Sequence, residues 1–186
     1  MYSFRNDYSE GAHPKVLQAL ADTNLRQTVG YGMDPCCQAA ADTIRRLCAA
    51  PDAAVHFLVG GTQVNLVTID AFLQSYEAVV AAQTGHVSTH ETGAIEATGH
   101  KVCTVESPDG KLTPALVESV LAGHNGTEHM VLPRMVYISD TTEIGTVYTR
   151  AELAALRQCC DVHGLFLYLD GARLGYAMAS IGDAPD

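Results

Sequence analysis

With 47% hydrophobic and only 17% charged residues, a chain of 186 residues can bury a substantial core, which excludes a disordered protein. Its 11 basic and 21 acidic residues leave a formal charge of −10, which argues against nucleic acid or an anionic membrane as partner, since both need a basic face. No stretch approaches the ~20 apolar residues of a membrane span, because residues 64–72 are interrupted by Asn65, Thr68 and Asp70.

After an irregular entry, residues 13–27 place Val16, Leu17, Leu20 and Leu25 near helical spacing, and Pro14 suits a first turn. Gly30-Tyr31-Gly32 breaks that helix. Asp34, before Pro35, caps a second one with Ala40, Ile44, Leu47 and Cys48 on one face, closed by Pro51 and Asp52. Residues 1–50 therefore read as an N-terminal helical segment, and residues 51–186 as the main domain. Beyond Ala54 the rhythm becomes strand then helix. Residues 55–59 predict a strand, and Gly60-Gly61-Thr62 turns into a helix through Val64, Leu66, Ile69 and Phe72. A second strand is expected at 77–82, a polar segment without regular helix at 85–93, a short helix at 94–97 and a third strand at 102–105. Pro108-Asp109-Gly110 makes a turn before a helix at 113–122. The fourth strand is read at 135–139, a helix at 150–163 and the fifth strand at 165–169, with no closing helix or strand after it. This alternation implies crossover connections and an α/β fold: three layers, a mainly parallel sheet with helices on both faces.

Phe166 to Leu169, four apolar residues opening after Gly164, read as a strand buried on both faces that stops at Asp170. Asp170 then stands at the carboxyl edge of a parallel sheet, where open α/β folds keep their ligands. Arg173 follows closely enough for an acid and a base to address one small polar molecule. Alternatively, Asp170 only caps the next turn and Arg173 is its surface ion-pair partner. Gly60-Gly61-Thr62 would offer main-chain N–H groups and a helix dipole to a phosphate, or its glycines would merely permit a tight turn. His86, just after a strand, suits a flat ring set against a flat ligand, or a proton carrier near neutral pH; the plainer reading is a half-buried histidine satisfied by backbone. His86 and His90 are four apart with Glu91 adjacent, but Gly85, Val87 and Thr89 argue against the regular helix that metal binding would need, and no third ligand is placed by spacing. No metal is expected. His13, His56, His124, His129 and His163 read as surface or core histidines. Glu143, past the fourth strand, either borders the same crevice or is a loop carboxylate. The six cysteines have neither bridge-framework nor zinc-knuckle spacing, and the first residues lack a secretory core, so reduced thiols in the cytoplasm are expected.

Several stretches taken together carry a resemblance: Asn6-Asp7-Tyr8-Ser9-Glu10-Gly11-Ala12-His13-Pro14, Tyr31-Gly32, Gly60-Gly61-Thr62-Gln63-Val64-Asn65, Gly85-His86-Val87, Thr142-Glu143-Ile144-Gly145-Thr146 and Asp170-Gly171-Ala172-Arg173. In that order they resemble the fold-type I pyridoxal-phosphate enzymes, and more narrowly the low-specificity L-threonine aldolases of the aromatic amino acid β-eliminating lyase group. The resemblance implies that residues 51–186 are a partial pyridoxal-phosphate-binding large domain. Asp170 would pair with the protonated pyridine nitrogen, and Arg173 would lie by the phenolic oxygen and the substrate carboxylate. His86 would stack on the ring and help remove the proton of the substrate's β-hydroxyl. Gly61 and Thr62 would hold the phosphate. Tyr31 would line the site, from a neighbouring subunit of a homodimer or homotetramer. Asn6 stands where many relatives have a serine near the substrate carboxylate, and Gly60 where many have another. The same likeness implies a Schiff-base lysine downstream of Arg173, whereas Lys15, Lys101 and Lys111 all lie upstream. The expectation is a chain cut before that lysine and the small C-terminal domain, and inactive alone. The implied reaction is retro-aldol Cα–Cβ scission of L-threonine or L-allo-threonine to glycine and acetaldehyde. Alternatives are β-elimination from another amino acid, a non-catalytic fragment, and a phosphometabolite-binding domain.

Overall fold

The computed structural model describes residues 3, 5–124 and 126–182. The chain forms two compact units, Met1–Phe57 and Leu58–Asp186. In the first, α1 (Pro14–Thr23) opens on a proline whose missing N–H would have been unpaired in any case. Helix α2 (Pro35–Leu47) starts where the sequence predicts: Asp34 accepts hydrogen bonds from the N–H groups of Cys36 at 2.9 Å and Cys37 at 3.0 Å.

The second unit is built on strands β1 (Glu77–Ala82), β2 (Lys101–Val105), β3 (Leu132–Ser139) and β4 (Phe166–Asp170), all parallel, in the order β2-β1-β3-β4. Every residue of β1 is buried, and the strand period of two divides its side chains between two cores. Val79 and Ala81 pack with Ile69, Leu73, Val87, Ile95, Met135 and Tyr137. Helices α3 (Gly61–Phe72), α4 (His86–Thr89) and α5 (Ala94–Ala97) supply that face. Val80 and Ala82 point the other way, into a core of Val117, Val136, Ile138, Leu156, Cys160 and Leu165 beneath α6 (Pro114–Ala122) and α7 (Arg150–His163). The expected three layers are thus observed. Successive crossovers run outward from β1 to β2 and, in the opposite direction, from β3 to β4, so the order reverses between β1 and β3. A crevice for a ligand is expected at the carboxyl ends beside that reversal.

Three expectations are corrected. Residues 55–59 form no strand: a strand exists only as part of a ladder, none of the described strands pairs with this run, and Phe57, Leu58 and Val59 are exposed. A closing element does follow β4: helix α8 (Leu174–Ile181), which buries Ala177 and ends at Gly182 with φ 73°. Gly175, a poor helix former, hides it in the sequence. Within 85–93 the chain makes one helical turn, α4, before leaving it at His90.

On the α7 side, Thr149 and Glu152 form a capping box, and Lys111 Nζ donates to Glu152 at 2.5 Å. The ammonium of Lys111 first, and the N–H of Thr149 second, hold the Glu152 carboxyl down from its ordinary 4.5 to about 2. The folded state therefore binds this proton more weakly than the unfolded chain. The stabilisation is present above pH 4.5 and is lost as pH falls towards 2. Replacing Glu152 by glutamine is expected to cost about 1 kcal/mol at neutral pH, allowing for solvent screening of the pair, and to flatten the acid limb. Urea unfolding across that range checks this, and an unchanged acid limb counts against it.

Candidate active site

In the β3–β4 ladder Tyr137 lies opposite Tyr168, and Ser139 opposite Asp170. Tyr137 belongs to the core beneath α3, so alternation puts Tyr137, Ser139, Tyr168 and Asp170 on that face of the sheet, rising to its carboxyl edge. The two tyrosine rings meet edge-on at 5.5 Å. From above, Asn65 of α3 reaches down to them.

Asn65 is buried, and three of the four hydrogen bonds its side chain can make are formed. Its Nδ2 donates to Glu91 Oε1 at 2.6 Å and to Asp170 Oδ2 at 3.1 Å, while its Oδ1 accepts from the Tyr168 hydroxyl at 2.6 Å. Two carboxylates can only accept, so the orientation of the amide is determined by its partners. Glu91 Oε1 also faces His86 Nδ1 at 2.9 Å, which makes that ring nitrogen the donor. Burial first, then the Asp170 carboxylate, push the Tyr168 phenol up to about 12 and the Tyr137 phenol well above its ordinary value. Both tyrosines therefore remain donors at physiological pH, and Tyr137 gives its proton to Asp170 Oδ2 at 2.6 Å.

A second arm runs from Tyr137 to Arg173. Ser139 Oγ has one proton, directed at Glu143 Oε1 at 2.9 Å as the nearer and charged acceptor, with the Tyr137 hydroxyl 3.4 Å away as the alternative, and Arg173 Nη2 donates to the same Glu143 oxygen at 3.2 Å and to the Thr141 carbonyl at 3.2 Å. One network of hydrogen bonds thus joins His86, Asp170 and Arg173. Three carboxylates, Glu91, Asp170 and Glu143, sit in it against the single guanidinium of Arg173.

Asp170 is half-buried, and among the described residues its oxygens are held by neutral donors: Tyr137, Asn65 and the Ala172 N–H at 3.0 Å. Both simpler expectations for this pair are thereby modified. Asp170 does close the turn, yet Arg173 pairs with Glu143. The Asp170 charge is left without a cation beside it, and Glu91 Oε2 is buried without a partner. Such a site favours a cationic ligand.

Helix α3 opens at Gly60 with no side-chain cap over its first turn. A Cβ added to Gly60 or Gly61 would meet nothing within 4 Å, and Gly60, with φ −162°, has ordinary extended backbone. Neither crowding nor strain explains the two glycines. Their bareness leaves the N–H end of the helix open to an anion. Thr62 lies three residues before Asn65, so both share one face of α3, one turn apart.

Asn6 and Tyr31 belong to the first unit. The Asn6 side chain accepts from the Tyr8 N–H at 3.2 Å and the Ser9 hydroxyl at 2.6 Å, and Tyr31, with φ 62°, is fully exposed. His90 stacks on His86 with centroids 5.5 Å apart. Sequence alone assigns Asn65, Tyr137, Ser139 and Tyr168 no role in the site, and Glu91 only that of a neighbour to His90. One signal was there to find: Asn65 is a polar residue between Val64 and Leu66, on a helix otherwise suited to a core.

The model of the family described as "Beta-eliminating lyase" matches residues 4–186. A low specificity L-threonine aldolase of Pseudomonas aeruginosa is 36% identical over 184 residues, 98% of this chain and 53% of that protein. The structure of a threonine aldolase from Leishmania major superposes with a TM-score of 0.94 at 55% identity, over 96% of this chain and 52% of that one. An aspartate aminotransferase from Rhizobium meliloti, at a TM-score of 0.65 and 16% identity over 87% of this chain and 41% of that one, shares the fold alone. The chain spans about half the length of the curated relatives it matches.

Proposed function

We propose, from the premise that this chain belongs to the beta-eliminating lyase family, that its site holds pyridoxal phosphate and serves the cleavage of L-threonine or L-allo-threonine to glycine and acetaldehyde. The observation that carries this reading is Asp170: a carboxylate at the carboxyl edge of the sheet, oriented by neutral donors and lacking a cation. When bound, the cofactor supplies a sink for the electrons released as a bond to the substrate Cα breaks.

Residues of this chain would supply the binding, orientation and proton transfer around the cofactor, with the Schiff-base lysine expected downstream of Arg173. Asp170 faces the ring nitrogen and keeps it protonated, and its three donors stop the carboxylate from turning away. The open first turn of α3, with Gly61 and the Thr62 hydroxyl, holds the phosphate. His86 would stack on the ring. Because its Nδ1–H is directed at Glu91, its Nε2 keeps a lone pair for the proton of the β-hydroxyl. The buried Glu91 carboxylate then stabilises the imidazolium that forms. Arg173 binds the substrate carboxylate, with Glu143 holding the guanidinium in place. The exposed Tyr31 completes the site from a neighbouring copy in a homo-oligomer. All six cysteines are free thiols, which fits a cytoplasmic enzyme acting on a small amino acid.

The test is made on the complete gene product with pyridoxal phosphate. Acetaldehyde and glycine are expected in equal amounts from L-threonine or its allo form. Pyruvate and ammonia from β-substituted amino acids, with no acetaldehyde from threonine, would replace this reading by β-elimination.

A further inference from the structure

Helices α6 and α7 lie on the opposite face of the sheet from Asn65 and His86. Cys159 and His163 are four residues apart on α7, so both side chains share one face of that helix, at its C-terminal end. Glu118 of α6 comes across to them. The ligand atoms of Glu118, Cys159 and His163 all lie within 4.8 Å of one another. His163 Nε2 and Glu118 Oε1 stand 3.6 Å apart. Two ligands each ~2.1 Å from a tetrahedral ion are ~3.4 Å apart, so this pair already has nearly the spacing of a shared cation. We propose that Glu118, Cys159 and His163 are the three protein ligands of a zinc site, with water in the fourth position.

The donor set is one that zinc prefers over the hard cations: a thiolate and an imidazole with one carboxylate. Cys159 belongs to the core and takes no part in the amino acid chemistry. Burial first, and the Glu118 carboxylate second, push its thiol up, so the unliganded cluster holds the proton on sulfur. A divalent cation at the centre reverses both influences. The step balances as Zn²⁺ displacing H⁺ from the Cys159 sulfur, with His163 binding through its neutral Nε2 and Glu118 already ionised.

The full chain, stripped of metal with a chelator, is titrated with Zn²⁺ against a chromophoric competitor, and with Co²⁺ as a spectroscopic probe. One equivalent should bind, with a thiolate-to-cobalt charge-transfer band and the strong visible bands of tetrahedral coordination. Removal of an outer-sphere partner typically weakens metal sites about 10–100-fold, so Glu118→Gln and His163→Gln, each losing a direct ligand, should weaken binding at least tenfold. Both positions are exposed, so circular dichroism should show folded variants. Cys159→Ser should abolish the charge-transfer band. A variant with Cys36, Cys37 and Cys48 all changed to serine should keep both band and affinity. The proposal is overturned if the wild-type chain binds no stoichiometric metal, if His163→Gln and Glu118→Gln bind as wild type, or if the triple serine variant loses the site.

Discussion

In the complete gene product, Asp170→Asn is expected on the proposed reading to lower kcat with L-threonine by about 10²–10³-fold or more, the range seen when one preorganised electrostatic partner is removed from a reacting centre. The substitution keeps the size of the side chain, removes its charge and turns the oxygen facing the Ala172 N–H into an amide NH2, so one turn hydrogen bond is lost with the charge. The amide oxygen still accepts from Tyr137, so the fold should tolerate the change. Asp170→Ala should lose as much activity, and in addition leave the Tyr137 hydroxyl and one Asn65 N–H without their acceptor, at about 1–3 kcal/mol of stability. The comparison separates charge from architecture. Steady-state kinetics, the absorption spectrum of bound cofactor and urea unfolding of both variants are the measurements. Near-normal turnover in Asp170→Asn with a normal spectrum would remove the electrostatic basis of the reading.

Asn65→Asp should be the most damaging single change to stability within the site. It replaces a buried double donor by a third carboxylate between Glu91 and Asp170, and leaves the Tyr168 hydroxyl as the only donor still aimed at it. Leaving a buried charge uncompensated costs about 3–5 kcal/mol. The pH dependence has a definite sign. Crowding of like charges raises the folded-state pKa of the cluster above its unfolded values, so the folded variant binds more protons. Its stability therefore falls as pH rises through that pKa and recovers in mild acid. Denaturation at neutral and mildly acidic pH tests this; a variant as stable as wild type at neutral pH would mean that Asn65 does not separate the two carboxylates.

Local signals made much of the frame legible. The β1 bounds agree with the sequence because every residue of that strand is buried and Gly85 follows soon after it. Asp34 announces the start of α2 because a cap binds N–H groups two or three residues ahead, whereas the Thr149–Glu152 capping box of α7 emerges only from the structure. Asp170 is recognisable as an ionisable residue ending an apolar run, but the expected burial on both faces is corrected: β4 is an edge strand, its residues only partly buried and Phe166 exposed, because only β3 pairs with it among the described strands. What stayed hidden depends on which elements meet. Asn65 and Asp170 are 105 residues apart, and Asn65 and Glu91 are 26 apart. Periodicity tells which residues share a face of one element, and says nothing of the partner across the gap. Residues 55–59 fail for the same reason in reverse: their composition suits a strand, but none of the described strands pairs with them. The Cys159–His163 spacing was readable as one helical face, but its third member, Glu118, is supplied only by the packing of α6 on α7.

The amide of Asn65 is held at both ends, because each of its two N–H groups goes to a different carboxylate and its oxygen accepts from Tyr168. It behaves as a fixed strut between two negative groups that would otherwise push apart. The ring of the proposed cofactor, bearing a positive nitrogen, would therefore meet a carboxylate whose direction is settled beforehand, with little reorganisation opposing its docking.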